Sequence, residues 1–230
     1  MYKKIFLHRG KEASVHRYHP WIFSGAIAQI EEGVTEGEAV EVYDSNGQFL
    51  AVGHYQRGSI AVRIMSFKKE LLDENFLTQR ISKALALRKK MGLWREGEND
   101  IFRLIHGEGD GLPALIIDIY GNTAVIQAHS TGMHLWRHSI AKEVKDLLQE
   151  HLENIYYKSE QTLPFREGTE QESGYLLGNN ADNVALENGL RFHIDWLKGQ
   201  KTGFFIDQRE NRSLLEKYSC GRKVLNMFCY

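Results

Sequence analysis

Residues 199–230 read GQKTGFFIDQRENRSLLEKYSCGRKVLNMFCY. A glycine-bearing stretch leads into a polar helix expected over Gln208–Tyr218. Gly221 breaks that helix, and an apolar strand is expected over Val224–Tyr230. Helix, glycine turn and apolar strand, in that order, form the opening of a doubly wound α/β domain. The first strand of such a domain normally runs on into a glycine-rich turn that holds a cofactor. The chain is therefore expected to stop just after this domain starts, and the strand to pair with another chain or to pack on the preceding domain.

Upstream lies a second unit, expected from about Ile101 to Gly189. Its strands are read at Leu112–Tyr120 and Thr123–His129 across the Gly121-Asn122 turn, and at Ile155–Lys158. A helix is expected from about Met133 to Leu152, with Ile140, Val144, Leu147 and Leu148 inward. Residues 167–173 are polar and acidic, so an exposed loop is expected there. A hairpin is read around Val184–Trp196, turning at Asn188-Gly189. The first strong helix signal opens at Asp73, a fitting N-cap, with Leu72 and Leu77 placed as a hydrophobic staple. Leu77, Ile81, Ala84, Leu85 and Met91 form its apolar stripe, and Gly92 is a natural stop.

Residues 1–67 read as all-β. Val40–Tyr43 alternates, Asp44-Ser45-Asn46-Gly47 is a turn signal, Gln48–Gly53 is the return arm, and Ser59–Phe67 is a further strand. Short strands between glycine turns suggest a small barrel.

The bulk composition excludes several classes. With 29 Lys+Arg against 30 Asp+Glu, the chain does not coat nucleic acid indiscriminately. No apolar run is long enough to span a bilayer, and the N-terminus has no apolar signal region. Cys220 and Cys229 have no metal-ligand spacing, which fits a reducing cytoplasm. Charge is unevenly placed: residues 1–20 hold five basic side chains and one acid, Glu12. Such a segment fits a solvated terminus, or the positive face of an RNA-binding module.

Three segments together carry a family resemblance. YHPWIFS (18–24), with GQFLAVGHY and SIAVRI, resembles the PUA domain of class I rRNA methyltransferases that use S-adenosylmethionine. RLIHGEGDGLPALIIDIYG (103–121) resembles that family's central domain, and residues 199–230 resemble the start of its methyltransferase domain. In the family, VLNMFCY continues into a Thr-Gly-Gly-Phe turn, and an Asn-Pro-type turn precedes SIAVRI where this chain has Gln56-Arg57-Gly58. The resemblance implies an α+β multidomain protein with an N-terminal PUA-like β-barrel, a central α+β domain and the first elements of a Rossmann-like α/β methyltransferase domain. The divisions it implies are 1–69 for the RNA-binding barrel, 70–189 for linker helix and central domain, and 190–230 for a truncated catalytic start. The implied cofactor is S-adenosylmethionine and the implied partner is ribosomal RNA, modified at cytosine C5 of the large subunit. The implied setting is cytoplasmic with no membrane, and a homodimer is left open. The rival reading is an RNA-binding or assembly module without chemistry.

Candidate site residues follow. Phe204 and Phe205 are placed to cover an adenine or a sulfonium, and Asp207, Gln208 and Arg209 lie at the helix start. Asp207 fits an N-cap equally well, whereas Gln208 and Arg209 have no evident local duty. Phe228 and Tyr230 sit at the carboxyl end of the expected strand, where ligands bind in open α/β sheets, or simply pack the core. No catalytic role falls to Cys220 or Cys229, because the family's nucleophile lies further downstream, and no metal ligands are assigned. For RNA, Arg9, Lys11, Arg17, Arg57 and Arg63 are phosphate candidates, and His19, Trp21 and Tyr55 stacking candidates. Trp21 and Phe23 read better as barrel core. GEGDG (107–111) is followed by Pro113 and the apolar run ALIIDIY, a strand where a phosphate loop needs a helix. It therefore reads as a tight turn presenting Glu108 and Asp110, either structural or bordering the active-site cleft.

Overall fold

The computed structural model describes residues 2–163, 173–179 and 183–227. Six strands build the N-terminal unit: β1 (Lys3–Leu7), β2 (Trp21–Phe23), β3 (Ile27–Ile30), β4 (Ala39–Tyr43), β5 (Phe49–Tyr55) and β6 (Ile60–Ser66), with a short helix α1 (Ala13–His16) after β1. They form one sheet in the order β2-β6-β5-β4-β1-β3, in which β1 and β4 are parallel. The two edge strands, β2 and β3, are joined by only the three-residue turn Ser24–Ala26. A sheet whose opposite edges are that close along the chain must roll up, so the expected barrel shape follows from connectivity. Ile5, Leu7, Val15, Ile22, Val40, Val42, Val62 and Ile64 fill its interior.

Phe23 does not join that interior: it is 50% exposed, and Trp21 is half-buried. The core expectation is corrected for both. In a three-residue edge strand only one side chain points inward, and Ile22, 1% exposed, takes that place.

Helix α2 (Glu74–Lys90) starts where Asp73 Oδ1 accepts the Phe76 N–H at 2.9 Å. It ends in a Schellman motif, with Leu93 N–H to the Arg88 carbonyl and Gly92 N–H to the Lys89 carbonyl, both 3.0 Å, while Gly92 adopts φ +68°. Phe76, Leu77, Ile81, Ala84 and Leu85 are buried, each large one contributing about 1.5–3 kcal/mol. Met91, expected on the stripe, is 61% exposed, because it lies past the last helical turn.

The central sheet has the order β11-β10-β9-β8-β7: β7 (Ile101–His106), β8 (Leu115–Tyr120), β9 (Thr123–Ala128), β10 (Asn154–Tyr157) and β11 (Gly174–Leu177). The expected helix 133–152 is two helices, α3 (Thr131–Leu135) and α4 (Arg137–Leu148), that meet at Trp136. Ser130 Oγ caps the first by accepting the Met133 N–H at 3.3 Å. One face of the sheet (Phe102, Leu104, Leu115, Ile117, Ile126, Tyr157) packs under α2 and α4 and shares its core with Val52 and Met65 of the barrel. The other face (Ile101, Tyr120, Val125, Tyr156) is covered at one end by the hairpin β12 (Val184–Glu187) and β13 (Leu190–His193), with Trp196. Asn188 and Gly189 both have positive φ, the geometry of a tight hairpin turn. This hairpin straddles residue 189, so a division of the chain there would cut one packed unit.

Helix α5 (Arg209–Ser219) matches its expected position. Residues 224–227 form no strand and are exposed, with Leu225 83% accessible. The strand expectation fails for this described part, since no described strand lies beside it to bond its backbone groups. Phe228, Cys229 and Tyr230, and residues 167–172 of the expected loop, lie outside the described residues.

Barrel and central domain meet at His54. Its ring contacts Trp136 edge-on at a centroid distance of 4.5 Å, and any side chain at Gly132 would overlap it. Its Nε2 is buried without a hydrogen-bond partner among the described residues, and burial pushes its pKa down to about 4. The neutral form is therefore the folded form. Unfolded histidine titrates near 6.5, so this contribution is complete above that pH and is lost as pH falls towards 4, by up to roughly 3 kcal/mol. Urea midpoints should be level above neutrality and fall between pH 6.5 and 4.5, and a His54→Gln variant should lose much of that slope. Equal slopes for parent and variant would contradict this.

Candidate functional site

The segment Gly199–Arg209 lies across the sheet face that the helices leave open. Its anchor is Thr202, whose hydroxyl donates to Asp118 Oδ2 at 2.6 Å and lies 2.8 Å from the Tyr120 hydroxyl. Asp118 is fully buried and takes two hydrogen bonds from Arg103, Nε to Oδ1 at 2.8 Å and Nη2 to Oδ2 at 2.9 Å. Donating to the Asp118 carboxylate raises the Arg103 pKa, against the opposing pull of burial. Burial drives the Tyr120 hydroxyl far above its usual range, so it stays protonated. Further along, Gln127 Nε2 donates to the Lys201 carbonyl at 3.3 Å and Lys158 Nζ to the Gly199 carbonyl at 2.5 Å. Gly203 has φ +117°, and a Cβ there would sit 2.8 Å from the Trp196 Cα, so only glycine lets the segment turn this close to the sheet.

Beyond the turn, Phe204 packs on Phe192 at 5.3 Å between ring centroids and carries the Arg212 guanidinium at 4.2 Å. Arg212 also donates to the Phe205 carbonyl at 2.9 Å and to both oxygens of Glu187, at 2.6 and 2.8 Å. Arg209 bonds Glu187 at 3.2 Å and the Ile101 carbonyl on the open edge of β7. The expectation that Arg209 has no local duty is thus corrected: it satisfies an edge carbonyl and a buried carboxylate. The N-cap reading of Asp207 also fails. A turn of 3₁₀ helix, Ile206–Gln208, precedes α5, so Gln208 holds the cap position and caps with no side chain.

Two clefts open on either side of this segment. One, about 520 Å³, is bounded by Leu87, Met91, Leu93 and Phe102 with Arg88, Asp207 and Arg209. The other, about 640 Å³, is bounded by Arg103, Gln127, His129, Lys201, Phe204 and Asp207. They share Arg103, His106, Ile206 and Asp207 as a common wall. His129 titrates below its usual value, first through burial and then through the nearby Arg63 charge.

The structure thus brings Phe204, Asp207 and Arg209 to the clefts. Phe205 is half-buried with Lys201 Nζ 4.7 Å from its ring centroid, and Gln208 is exposed, bonded to Asn211 and Asp207. Phe228 and Tyr230 fall outside the described residues. The RNA candidates do not form one patch. Arg9, Lys11, Arg17 and His19 are exposed near the N-terminus. Tyr55 and Arg57 border a separate cleft of about 360 Å³, with Arg57 paired to Glu36 at 3.6 Å. Arg63 is half-buried on β6 opposite Trp21, and burial lowers its pKa. GEGDG does both things expected of it. Asp110 is held bidentately by Arg88 at 2.6 Å and Glu108 accepts the Trp21 indole N–H at 2.7 Å, joining barrel to central domain, while Gly109 and Asp110 also border the smaller cleft.

Arg103, Asp118, Thr202, Glu187 and Arg212 were missed. A signal existed for two of them: Arg103 and Asp118 are single charges inside the apolar strands IFRLIH and LIIDIY. Among the described residues no cluster of metal-ligating side chains occurs, and no helix is long and apolar enough to cross a membrane.

Comparisons add to this geometry. Residues 5–67 match the model of PUA-like domains, and residues 161–230 match that of S-adenosylmethionine-dependent methyltransferases. A ribosomal RNA large subunit methyltransferase I from Photobacterium profundum is 39% identical over 100% of this chain and 58% of its own length. One from Shewanella frigidimarina is 39% identical over 99% of this chain and 57% of its own. The chain spans somewhat over half the length of these relatives. A Streptococcus mutans structure assigned as a SAM-dependent methyltransferase superposes with a TM-score of 0.76 at 21% identity, covering 94% of this chain and 54% of that one. A second structure, with the same TM-score and identity and assigned as a methyltransferase, was solved in complex with SAH. These two likenesses show the fold.

Proposed function

We propose that this chain is the RNA-recognising and site-building part of an S-adenosylmethionine-dependent methyltransferase acting on large-subunit ribosomal RNA, with cytosine C5 as the target. One observation carries the reading: the GQKTGFFIDQR segment is fastened to a buried Arg103–Asp118–Thr202 network and forms the wall between two clefts. A segment held so firmly is suited to positioning a ligand rather than merely linking two domains.

The residues fit the cofactor's chemistry. The smaller cleft offers apolar walls at Leu87, Met91 and Phe102 for an adenine, and Asp207 offers a carboxylate for hydroxyls or an ammonium group. Phe204, Phe205 and Gln208 would hold its flanks, and Phe228 and Tyr230 are further cofactor candidates on the resemblance alone. When bound, S-adenosylmethionine supplies an activated methyl group on a sulfonium. The chain's own contribution is orientation: Arg103 and Asp118 fix Thr202, Arg212 and Glu187 fix Phe204 and Phe205, and the packed aromatic rings exclude water. The base-attacking nucleophile belongs to the remaining length that the relatives possess.

RNA recognition is assigned to the barrel, through Arg9, Lys11, Arg17 and Arg63 with His19, Tyr55 and Arg57. Phosphate contacts release counterions, so affinity for an rRNA fragment should fall about tenfold or more between ~50 and ~200 mM salt. Fluorescence anisotropy measures this directly. A combined Arg9→Ala, Arg17→Ala, Arg63→Ala variant should bind more weakly and with a shallower salt dependence. Parent-like binding by that variant would remove the barrel from the RNA interface. The proposal places the enzyme in the cytoplasm, and sedimentation of the full-length protein tests whether it is a homodimer.

A further inference from the structure

We infer that the groove between the barrel and α2 binds an unpaired RNA nucleotide, with the Tyr18 ring stacking on the base and Arg80 and Lys83 receiving its phosphates. This rests on the RNA-binding reading above and extends it, because none of these three residues is among the barrel candidates. The groove encloses about 730 Å³, within the usual range for ligand clefts of ~300–1,000 Å³. Tyr18 and Phe67 border it on the barrel side, and Phe76, Arg80 and Lys83 on the side of α2.

Tyr18 is 73% exposed and has φ +60°, a conformation unfavourable for any residue with a side chain. Its backbone is pinned there by its N–H to the Val15 carbonyl at 2.9 Å and by the His19 N–H to the Ser14 carbonyl at 3.0 Å. A large aromatic ring is thus displayed to solvent on a fixed backbone. It meets Phe67 edge-on, with centroids 5.1 Å apart, and an edge-on pair leaves a ring face uncovered. Stacking on exposed rings is how proteins hold single-stranded bases, since every base has a π face.

The charges complement a phosphate. Lys68, Arg80 and Lys83 border the groove, and none has a carboxylate within ion-pair distance among the described residues. Arg80 is oriented by the Phe76 ring, its guanidinium 4.9 Å from the centroid. Two carboxylates also border the groove, Glu70, which accepts from Ser66, and Glu108, which accepts from Trp21, so the three cations outnumber them. The walls are rigid with respect to each other, because Met65 and Phe76 share one buried core and the Tyr2 hydroxyl accepts the Leu72 N–H at 2.7 Å. Aromatic platform, excess cations and fixed width suit a single-stranded nucleotide, which supplies both a base to stack on Tyr18 and a phosphate for the cations, better than a protein segment, which supplies no base.

The test uses the 230-residue chain and a short, unstructured, fluorescein-labelled RNA read by anisotropy. Tyr18→Ala should weaken binding about tenfold, while Tyr18→Phe, which keeps the ring, should stay within about twofold of the parent. Arg80→Gln with Lys83→Gln should weaken binding about tenfold and make its salt dependence shallower. A photocrosslink from 4-thiouridine RNA to the parent should fall on the peptide carrying Tyr18 or the one carrying Phe67, whatever the variants' stability. Crosslinks found only elsewhere would overturn the inference, as would polyglutamate of equal charge binding as tightly as RNA. If the parent binds RNA but both groove variants bind equally well, the groove is wrong and the barrel reading stands. If the parent binds no RNA at all, both fail together.

Discussion

Replacing Asp118 with alanine should destabilise the chain by about 3–5 kcal/mol, among the largest effects of any single substitution here. The carboxylate is fully buried and accepts from Arg103 twice and from Thr202 once, so its removal strands a guanidinium and a hydroxyl at once. Arg103 can partly turn to water, because its side chain is 34% exposed; that places the loss at the lower end of the range rather than above it. Thr202→Val removes only one hydrogen bond and keeps the shape, so it should cost about 1–2 kcal/mol. Urea unfolding followed by tryptophan fluorescence measures both. Limited proteolysis adds a local readout, since cleavage near Lys198 and Lys201 should rise in the Asp118 variant once the segment is released. An Asp118→Ala protein as stable and as protease-resistant as the parent would show that the network does not hold the segment in place.

The second large effect concerns the cofactor. The 230-residue chain should bind S-adenosylmethionine no better than millimolar and should transfer no methyl group. A chain extended to the full length of its relatives should do both. In the proposed placement the described residues offer Phe204, Asp207 and the apolar cleft wall, but the sheets they form are the rolled barrel sheet, the central sheet and one hairpin. The crevice of a doubly wound fold needs the turn after its first strand and the ends of neighbouring strands. Immobilising a ligand costs several kcal/mol however many contacts it makes, so a partial site loses affinity out of proportion to its missing area. A micromolar site corresponds to about −8 kcal/mol and a millimolar site to about −4, and removing half the contacts spans that gap. Titration calorimetry on both lengths, with methyl transfer to large-subunit rRNA alongside, decides the matter. Micromolar binding by the shorter chain would mean that Phe204–Arg209 and the cleft beside them already form the complete pocket.

What the sequence alone determined here is whatever neighbouring residues encode. Asp73 marked the start of α2 and Gly92 its end, because a cap is a contact between residues three or four apart. Asn188-Gly189 marked a hairpin, because positive φ at two successive residues is a backbone preference. The resemblance in the last thirty residues singled out the segment proposed above to hold the cofactor, but could not say what fastens it. Tertiary structure alone decided that. Asp118 and Thr202 are separated by 84 positions and Trp21 and Glu108 by 87, and no periodicity links such pairs. The same reason explains the errors. Arg209 read as idle because Glu187 and the Ile101 carbonyl are remote in sequence, and helix 133–152 read as continuous although it divides at Trp136, beside His54 of the barrel. Burying a charge is costly unless a partner arrives with it, and only the folded chain brings distant partners together.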